Sequence, residues 1–257
     1  MKGIRCTVTA IMLCLILTLA GCKAVVDKQR ATEPPTEAAV EETAAVNNGY
    51  DNTSPKTAEW FDNAVLVGDS VTLKLSYYCA DHPEALGKAE FFCAGSLGYT
   101  NALWTLDDPN AVHPYYQGEV HLTEECSSLT GKPNVFIMLG MNDIGLYGTS
   151  GAMDSCKQLV QRILQKTPSA KIYIQSVTPI IADKQQDNFN NNLVKEFNGM
   201  LKAYCDQSGY KYLDVFSALA DQDGNLPLDY CSDPDNMGLH FNDTSCQIWV
   251  EYLKNNA

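Results

Sequence analysis

Short apolar segments alternate with longer amphipathic segments from residue 64 onward, and this alternation constrains the fold of the chain more than any other feature. The apolar segments are continuous, without the polar alternation of a half-exposed strand. Continuous apolar strands separated by helices are typical of a parallel sheet that is covered on both faces. The five segments are AVLVG (64–68), AEFFCAG (89–95), NVFIMLG (134–140), KIYIQSV (171–177) and YKYLDV (210–215).

The segments between the predicted strands have the spacing of helices. Residues 155–167 and 192–209 carry apolar side chains three and four positions apart, and a final helix is predicted over 243–254. At 54–63, SPKTAEWFDN offers a cap residue, proline at the first helical position and then helix formers. We therefore predict a single three-layer α/β/α domain, with a five-stranded parallel sheet and without internal repeats.

Polar and glycine-rich segments follow the predicted strands at their carboxyl ends. Open α/β sheets gather their functional residues at this edge. We therefore expect one serine, one asparagine and one histidine, Ser70, Asn142 and His240, to converge there. The segments are GDS (68–70), AGSLGYTN (94–101), GMNDI (140–144) and GLHFND (238–243).

These residue types suit acyl transfer. Ser70 is a candidate nucleophile and His240 is the candidate base, because the pKa of histidine lies near working pH. The backbone N–H groups of Ser70 and Gly98 and the side-chain amide of Asn142 are candidate donors to an oxyanion. Asp69 and Asp143 are interpreted as turn and cap residues. The sequence thus predicts a serine esterase that forms an acyl-serine and requires neither a cofactor nor a metal.

Taken together, the four segments resemble the conserved blocks of the SGNH, or GDSL, hydrolase superfamily. GDS resembles its first block, GSLG its second, GMND its third and GLHF its last, and the resemblance covers residues 60–254. It implies a flavodoxin-like fold with Ser70 as nucleophile, Gly98 and Asn142 as oxyanion donors and His240 as base. The α/β-hydrolase motif G-x-S-x-G is not matched, because the segment reads GDSVT.

The acid that would orient the histidine departs from the family pattern. The family usually has D-x-x-H, and the corresponding position here is Met237. Asp235 is our first candidate for the third member of the triad because it is the nearer acid. Asp233 is the second candidate, and a backbone carbonyl is the third. The missing acid also leaves an alternative of another class, a catalytically silent glycan-binding lipoprotein with the same fold.

The amino-terminal residues predict export and anchoring. The apolar run 7–20 follows Lys2 and Arg5 and is shorter than the about 20 residues that span a bilayer, which indicates a signal peptide. Its end, LAGC (19–22), resembles a bacterial lipobox, which implies cleavage before Cys22 and diacylglycerol on its sulfur. We predict a signal peptide at 1–21, a flexible lipid-anchored tether at 22–53 and the hydrolase domain at 54–257. The domain would then stand on the extracytoplasmic face of the cell membrane.

The net charge and the cysteine content limit the classes of ligand and cross-link that this chain could have. A net charge of −13 argues against nucleic acid, and we expect a monomer. Of ten cysteines, seven remain after the signal peptide and Cys22 are set aside, and no C-x-x-C pair supports a zinc site. Cys231 and Cys246 bracket the last loop and are the first disulfide pair to check.

The sequence does not identify which acyl ester is the substrate. An O-acetylated polysaccharide or wall glycan suits a surface-tethered enzyme, while lipid esters and thioesters remain alternatives. Segment 103–122 carries Trp104, Tyr115 and Tyr116, whose rings could stack on sugars. Packing beneath a long loop is the commoner role for such rings, and we favour it at this point.

Overall fold

The computed structural model describes residues 49–257. The predicted signal peptide, Cys22 and most of the predicted tether lie outside the described residues. Within residues 49–257, no helix combines the length and the hydropathy that are needed to cross a bilayer. The strands are β1 (Ala64–Gly68), β2 (Glu90–Cys93), β3 (Tyr115–Tyr116), β4 (Glu119–Val120), β5 (Asn134–Met138), β6 (Lys171–Gln175) and β7 (Lys211–Leu213).

The helices alternate with these strands as the apolar pattern predicts. The α-helices are α1 (Ser70–Asp81), α2 (Cys126–Thr130), α3 (Ile144–Lys166), α4 (Asn191–Ser208), α5 (Val215–Leu219) and α6 (Asp243–Asn256). Short 3-10 helices cover Ala58–Asn63, Asn101–Leu103, Thr123–Glu125, Ala182–Lys184 and Leu228–Tyr230.

The main sheet is parallel and five-stranded, in the order β2-β1-β5-β6-β7. Every residue of β1 and β5 is buried, which explains why these strands read as continuous apolar runs. The strand order is that of a flavodoxin-like sheet, whose switch point lies at the carboxyl ends of the two strands where the order reverses, here β1 and β5. The predicted three-layer α/β/α architecture is confirmed. The remaining two strands, β3 and β4, form a separate antiparallel hairpin.

The helix predicted from Pro55 does not form as expected. The backbone N–H of Lys56 instead donates to the carbonyl of Lys254 at 2.6 Å, and its ammonium lies 3.2 Å from the carboxylate of Asp51. The first contact ties the segment to α6, the second holds it to Asp51, and a 3-10 helix starts only at Ala58. Tertiary contacts therefore override the local helix signal here.

The chain enters the domain at the amino edge of the sheet. The hydroxyl of Tyr50 donates to the carbonyl of Ile172 at 2.6 Å, and its ring packs edge-on against Tyr173. The ammonium of Lys211 donates to the side chain of Asn52 at 3.1 Å. Ile172 lies near the start of β6, and Lys211 begins β7. Residues 50–52, which were predicted to belong to the tether, therefore contact the edge opposite to the carboxyl ends.

The seven cysteines within residues 49–257 are all free, so the pair considered first, Cys231 and Cys246, is not a disulfide in this structure. The thiol of Cys231 instead donates to Oδ1 of Asp233 at 3.2 Å. Cys246 is buried within α6.

Candidate active site

Ser70 lies where β1 gives way to α1, at the switch point of the sheet. Asp69 caps α1, because its Oδ1 accepts a hydrogen bond from the backbone N–H of Val71 at 2.9 Å. Asp69 is fully buried, and its second oxygen has no hydrogen-bond partner among the described residues. Burial raises its pKa to about 7. Asp69 is thus a cap residue, as the sequence indicates, and it fixes Ser70 in the first turn of the helix.

A continuous chain of hydrogen bonds joins Ser70, His240 and Asp233. Nε2 of His240 lies 2.9 Å from the hydroxyl of Ser70. Nδ1 of the same ring lies 2.7 Å from Oδ2 of Asp233. An imidazole held between a hydroxyl and a carboxylate is the arrangement that activates a serine nucleophile.

The acid in this chain is Asp233, our second candidate, and not Asp235. The side chain of Asp235 makes no hydrogen bond or ion pair within residues 49–257, and its carbonyl accepts from the ammonium of Lys184 at 3.0 Å. Asp233 reaches the ring because residues 233–240 curl around its carboxylate. Oδ1 accepts from the backbone N–H groups of Leu239 at 3.1 Å and His240 at 3.0 Å.

The backbone carbonyl of Asp233 also stabilises this turn. It accepts from the N–H groups of Asn236 and Gly238, and Gly238 adopts a left-handed φ of 68°. Partial burial raises the pKa of the Asp233 carboxyl, but hydrogen bonds from His240 and Cys231 outweigh it, and the net pKa is lowered. Asp233 is therefore ionised beside the imidazole at neutral pH.

Two of the candidate oxyanion donors, Asn142 and Gly98, lie close to each other. Asn142 follows β5, and its side-chain amide donates to the carbonyl of Leu97 at 3.0 Å. The neighbouring N–H of Gly98 donates to the side-chain oxygen of Asn101 at 2.8 Å. The structure thus brings Asn142 and the Gly98 loop together, but the Gly98 N–H is engaged by Asn101.

Asp143 holds this loop in place, which the sequence interpretation missed. Its side chain makes no cap bond to α3. Its two carboxylate oxygens instead accept the backbone N–H groups of Tyr99 and Thr100, both at 2.8 Å. A Cβ on Gly98 would lie 2.6 Å from Oδ2 of Asp143, so only glycine allows this approach. Asp143 stands at the N-cap position of α3, as the sequence indicates, but its side chain bonds to residues 43 and 44 positions away instead of to the helix.

A cavity of about 360 Å³ opens beside Asn142. Trp104 lines it, whereas Tyr115 lies exposed on the β3–β4 hairpin and Tyr116 packs against Phe92. The cavity is lined by Ser96, Asn101, Trp104, Asn110, Asn142, Asp143, Leu146 and Tyr147.

Between residues 49 and 257 there is no group of three or more His, Cys, Asp or Glu side chains that could hold a metal ion.

Known structures share this fold at low sequence identity. A GDSL-like lipase from Bacteroides thetaiotaomicron is 13% identical, with a TM-score of 0.56 over 81% of this chain and 91% of that chain. A predicted acylhydrolase from Bacteroides fragilis is 15% identical, with a TM-score of 0.56 over 83% and 93%. A predicted lipolytic protein of the G-D-S-L family from Desulfitobacterium hafniense is 13% identical, with a TM-score of 0.53 over 74% and 97%. No curated protein sequence matches the chain.

The sequence itself matches a family model over most of the domain. The matching family is the GDSL-like Lipase/Acylhydrolase family, and the match covers residues 66–248. These residues run from β1 into α6 and include every residue of the Ser70–His240–Asp233 chain. This protein therefore belongs to the GDSL-like lipase/acylhydrolase family and is a hydrolase of acyl esters.

Proposed function

We propose that the protein is a surface-anchored serine esterase that removes short acyl groups from a glycan. The observation that carries the catalytic part is the hydrogen-bonded chain from Ser70 through His240 to Asp233, with distances of 2.9 and 2.7 Å. Lipid esters and thioesters are the competing substrates within the same chemistry.

In the first half of the reaction, the hydroxyl oxygen of Ser70 bonds to the acyl carbon while Nε2 of His240 takes its proton. The same nitrogen then returns the proton to the leaving alkoxide as the carbon–alkoxide bond breaks. Asp233 accepts from Nδ1 throughout, so that it fixes the tautomer and stabilises the imidazolium. In the second half, water gives a proton to His240 and attacks the acyl-serine, which releases the acid and restores Ser70.

The oxyanion of each tetrahedral intermediate is held by three donors in this proposal. They are the N–H groups of Ser70 and Gly98 and the amide of Asn142. Because the Gly98 N–H is bonded to Asn101 in the structure, this donor serves the substrate only after the Asn101 side chain turns away. Ser70 and Asn142 therefore provide the first contacts, and the Gly98 N–H completes the set.

Anchoring through Cys22 is the second part of the proposal. It is supported by LAGC in the sequence. Tyr50 and Asn52 contact the amino edge of the sheet, whereas Ser70 lies at the carboxyl edge. The predicted flexible tether at the amino edge leaves the carboxyl edge, with Ser70, free to reach the esters of cell-surface glycans.

Labelling with a fluorophosphonate tests the catalytic part directly. We expect the purified domain to be labelled and to hydrolyse p-nitrophenyl acetate, and we expect the Ser70→Ala variant to do neither while keeping the wild-type melting temperature. Hydrolysis at the wild-type rate by Ser70→Ala would exclude this nucleophile. An unlabelled, inactive wild-type domain that still binds glycans would favour the silent glycan-binding alternative.

Fractionation of cells tests the anchor. In the full chain, Cys22→Ala should leave the membrane fraction for the medium or remain uncleaved, whereas a Cys79→Ala control should stay with the membrane. Membrane retention of a correctly processed Cys22→Ala protein would contradict lipidation.

A further inference from the structure

We infer that the cavity beside Asn142 is a binding site for one neutral sugar unit of the substrate, with Trp104 and Tyr147 as its stacking residues. This inference rests on the proposed esterase function and names the group that the enzyme recognises next to the ester. It assigns specificity to residues on two different elements, the loop after β2 and the first turn of α3.

Trp104 differs from the other two tryptophans of the chain. Trp60 packs edge-on against Phe61 at 5.0 Å between ring centroids. Trp249 is fully buried and donates its indole N–H to Gln175 at 2.8 Å. Trp104 is only partly buried, and within residues 49–257 its side chain makes no ring contact and donates no hydrogen bond. An amphipathic ring with both its face and its N–H available is suited to a ligand that is apolar on one side and hydroxylated at its rim.

Tyr147 also lines the cavity and comes from a different element, α3. Its side chain is 43% exposed, on a helical turn that Gly148 separates from the rest of α3 by a left-handed φ of 68°. The backbone N–H of Tyr147 bonds to the carbonyl of Asp143 at 2.8 Å, which fixes this turn to the residue that holds the Gly98 loop. The second aromatic ring is thereby positioned relative to the candidate oxyanion donors.

The remaining lining indicates the charge and polarity of the ligand. Asn110 contributes a side-chain amide that can both donate to and accept from hydroxyl groups, whereas the amide nitrogens of Asn101 and Asn142 already donate to backbone carbonyls of the Gly98 loop. The described lining contains neither Lys nor Arg, so nothing there would balance a phosphate or a carboxylate. Its one acid, Asp143, is engaged with the Gly98 loop, and Leu146 is its one aliphatic side chain. This composition fits a neutral, hydroxyl-rich ring and lacks the apolar wall that a long acyl chain needs.

The size of the cavity is consistent with one ring. Its volume of about 360 Å³ lies at the lower end of the range for small-molecule sites. A sugar held there would place an attached short acyl ester beside Asn142, the candidate oxyanion donor that lines the cavity. The site thus selects the sugar that carries the ester, while the chemistry at Ser70 is unchanged.

A ratio of specificity constants tests the site. We compare acetylated xylo-oligosaccharides and acetylated cello-oligosaccharides, which are neutral, with p-nitrophenyl acetate, which has no sugar. For Trp104→Ala and for Tyr147→Ala, the ratio of kcat/KM for the oligosaccharide to that for p-nitrophenyl acetate should fall by about tenfold or more, mainly through KM. Tyr115→Ala, an exposed tyrosine outside the cavity, is the matched control and should leave the ratio unchanged.

Binding without turnover gives an independent measurement. In the Ser70→Ala background, the acetylated oligosaccharides should change the tryptophan fluorescence, and the change should be lost in Ser70→Ala, Trp104→Phe. An inactive wild-type enzyme would overturn the proposed function, whereas this titration would still report on the sugar site. An unchanged ratio in both aromatic variants would overturn the inference. It would equally be overturned if neither oligosaccharide bound, or if the variants lost activity on p-nitrophenyl decanoate instead.

Discussion

Asp233 accepts a hydrogen bond from Nδ1 of His240 at 2.7 Å across seven positions of sequence, where the usual spacing of the family is three. The longer segment closes because the carboxylate of Asp233 also receives the backbone N–H groups of Leu239 and His240. The acid thus holds both the ring and the backbone of the histidine. Asp233 therefore fixes the backbone of residues 233–240 and also places a negative charge beside the imidazole of His240.

Exchange of this acid should affect catalysis far more than exchange of its neighbour. In Asp233→Asn, the amide favours the wrong tautomer of His240, and we expect kcat to fall by about 10³-fold or more. Asp235→Asn should stay within about threefold of the wild-type kcat, because the side chain of Asp235 makes no contact with the ring. Steady-state hydrolysis of p-nitrophenyl acetate by both variants measures the difference.

The pH dependence of kcat distinguishes a role of Asp233 in orienting the His240 ring from a general loss of folded structure. If Asp233 acts through the imidazole, residual activity of Asp233→Asn should recover partly at alkaline pH, while the melting temperature changes little. Equal losses in Asp233→Asn and Asp235→Asn, or a loss in neither, would contradict the role assigned to Asp233.

Asn142 should contribute mainly in the transition state. Its amide is positioned by the carbonyl of Leu97, and the charge it would stabilise exists only in the tetrahedral intermediate. Asn142→Ala should therefore lower kcat by about 10²-fold or more with little change in KM. A variant whose KM rises at constant kcat would instead identify Asn142 as a residue that binds the ground state.

Gly98 should tolerate no side chain, in contrast to a glycine of the same loop. The added methyl group in Gly98→Ala would lie 2.6 Å from Asp143 Oδ2, so we expect a loss of about 1–3 kcal/mol of stability and a lower kcat. Gly95→Ala is the control, because a Cβ at Gly95 meets nothing within 4 Å. Urea unfolding and kcat of the two variants test the contrast, and similar stabilities for both would refute it.

The buried cap Asp69 should make stability depend on pH. Its pKa is about 7 in the folded chain against an ordinary value of 3.8, so the folded state retains a proton that the unfolded state has lost. The contribution of this carboxyl is therefore complete below about pH 4 and is lost as the pH rises to about 7.

Thermal melting between pH 4 and 8 measures this loss. The melting temperature of the wild type minus that of Asp69→Asn should fall as the pH rises through this window and should then level off. Asp223→Asn, which replaces an exposed acid in a turn, serves as the control and should show no such fall. A constant difference between the wild type and Asp69→Asn would contradict a buried, protonated Asp69.

The local pattern of the sequence was enough to predict the sheet and the edge that carries the site. β1 has the bounds that AVLVG predicts, Ala64–Gly68, because both faces of a central parallel strand are buried and every residue must be apolar. Ser70, Asn142 and His240 could be assigned to one edge because the carboxyl ends of parallel strands share it. These conclusions depend on periodicity and chain order, which are properties of neighbouring residues.

Contacts between distant residues decided the rest. The choice of Asp233 over Asp235 depends on how residues 233–240 curl, and no local propensity encodes that path. Asp143 lies at the N-cap of α3 as predicted, but its side-chain partners, Tyr99 and Thr100, could not be predicted because they come from a different strand–helix connection. Sequence by itself thus determined the five strands of the main sheet and their order along the chain, since burial of apolar side chains is repeated along the chain. Only the tertiary structure decided which polar groups pair, because hydrogen bonds act over about 3 Å in space, whatever the separation in sequence.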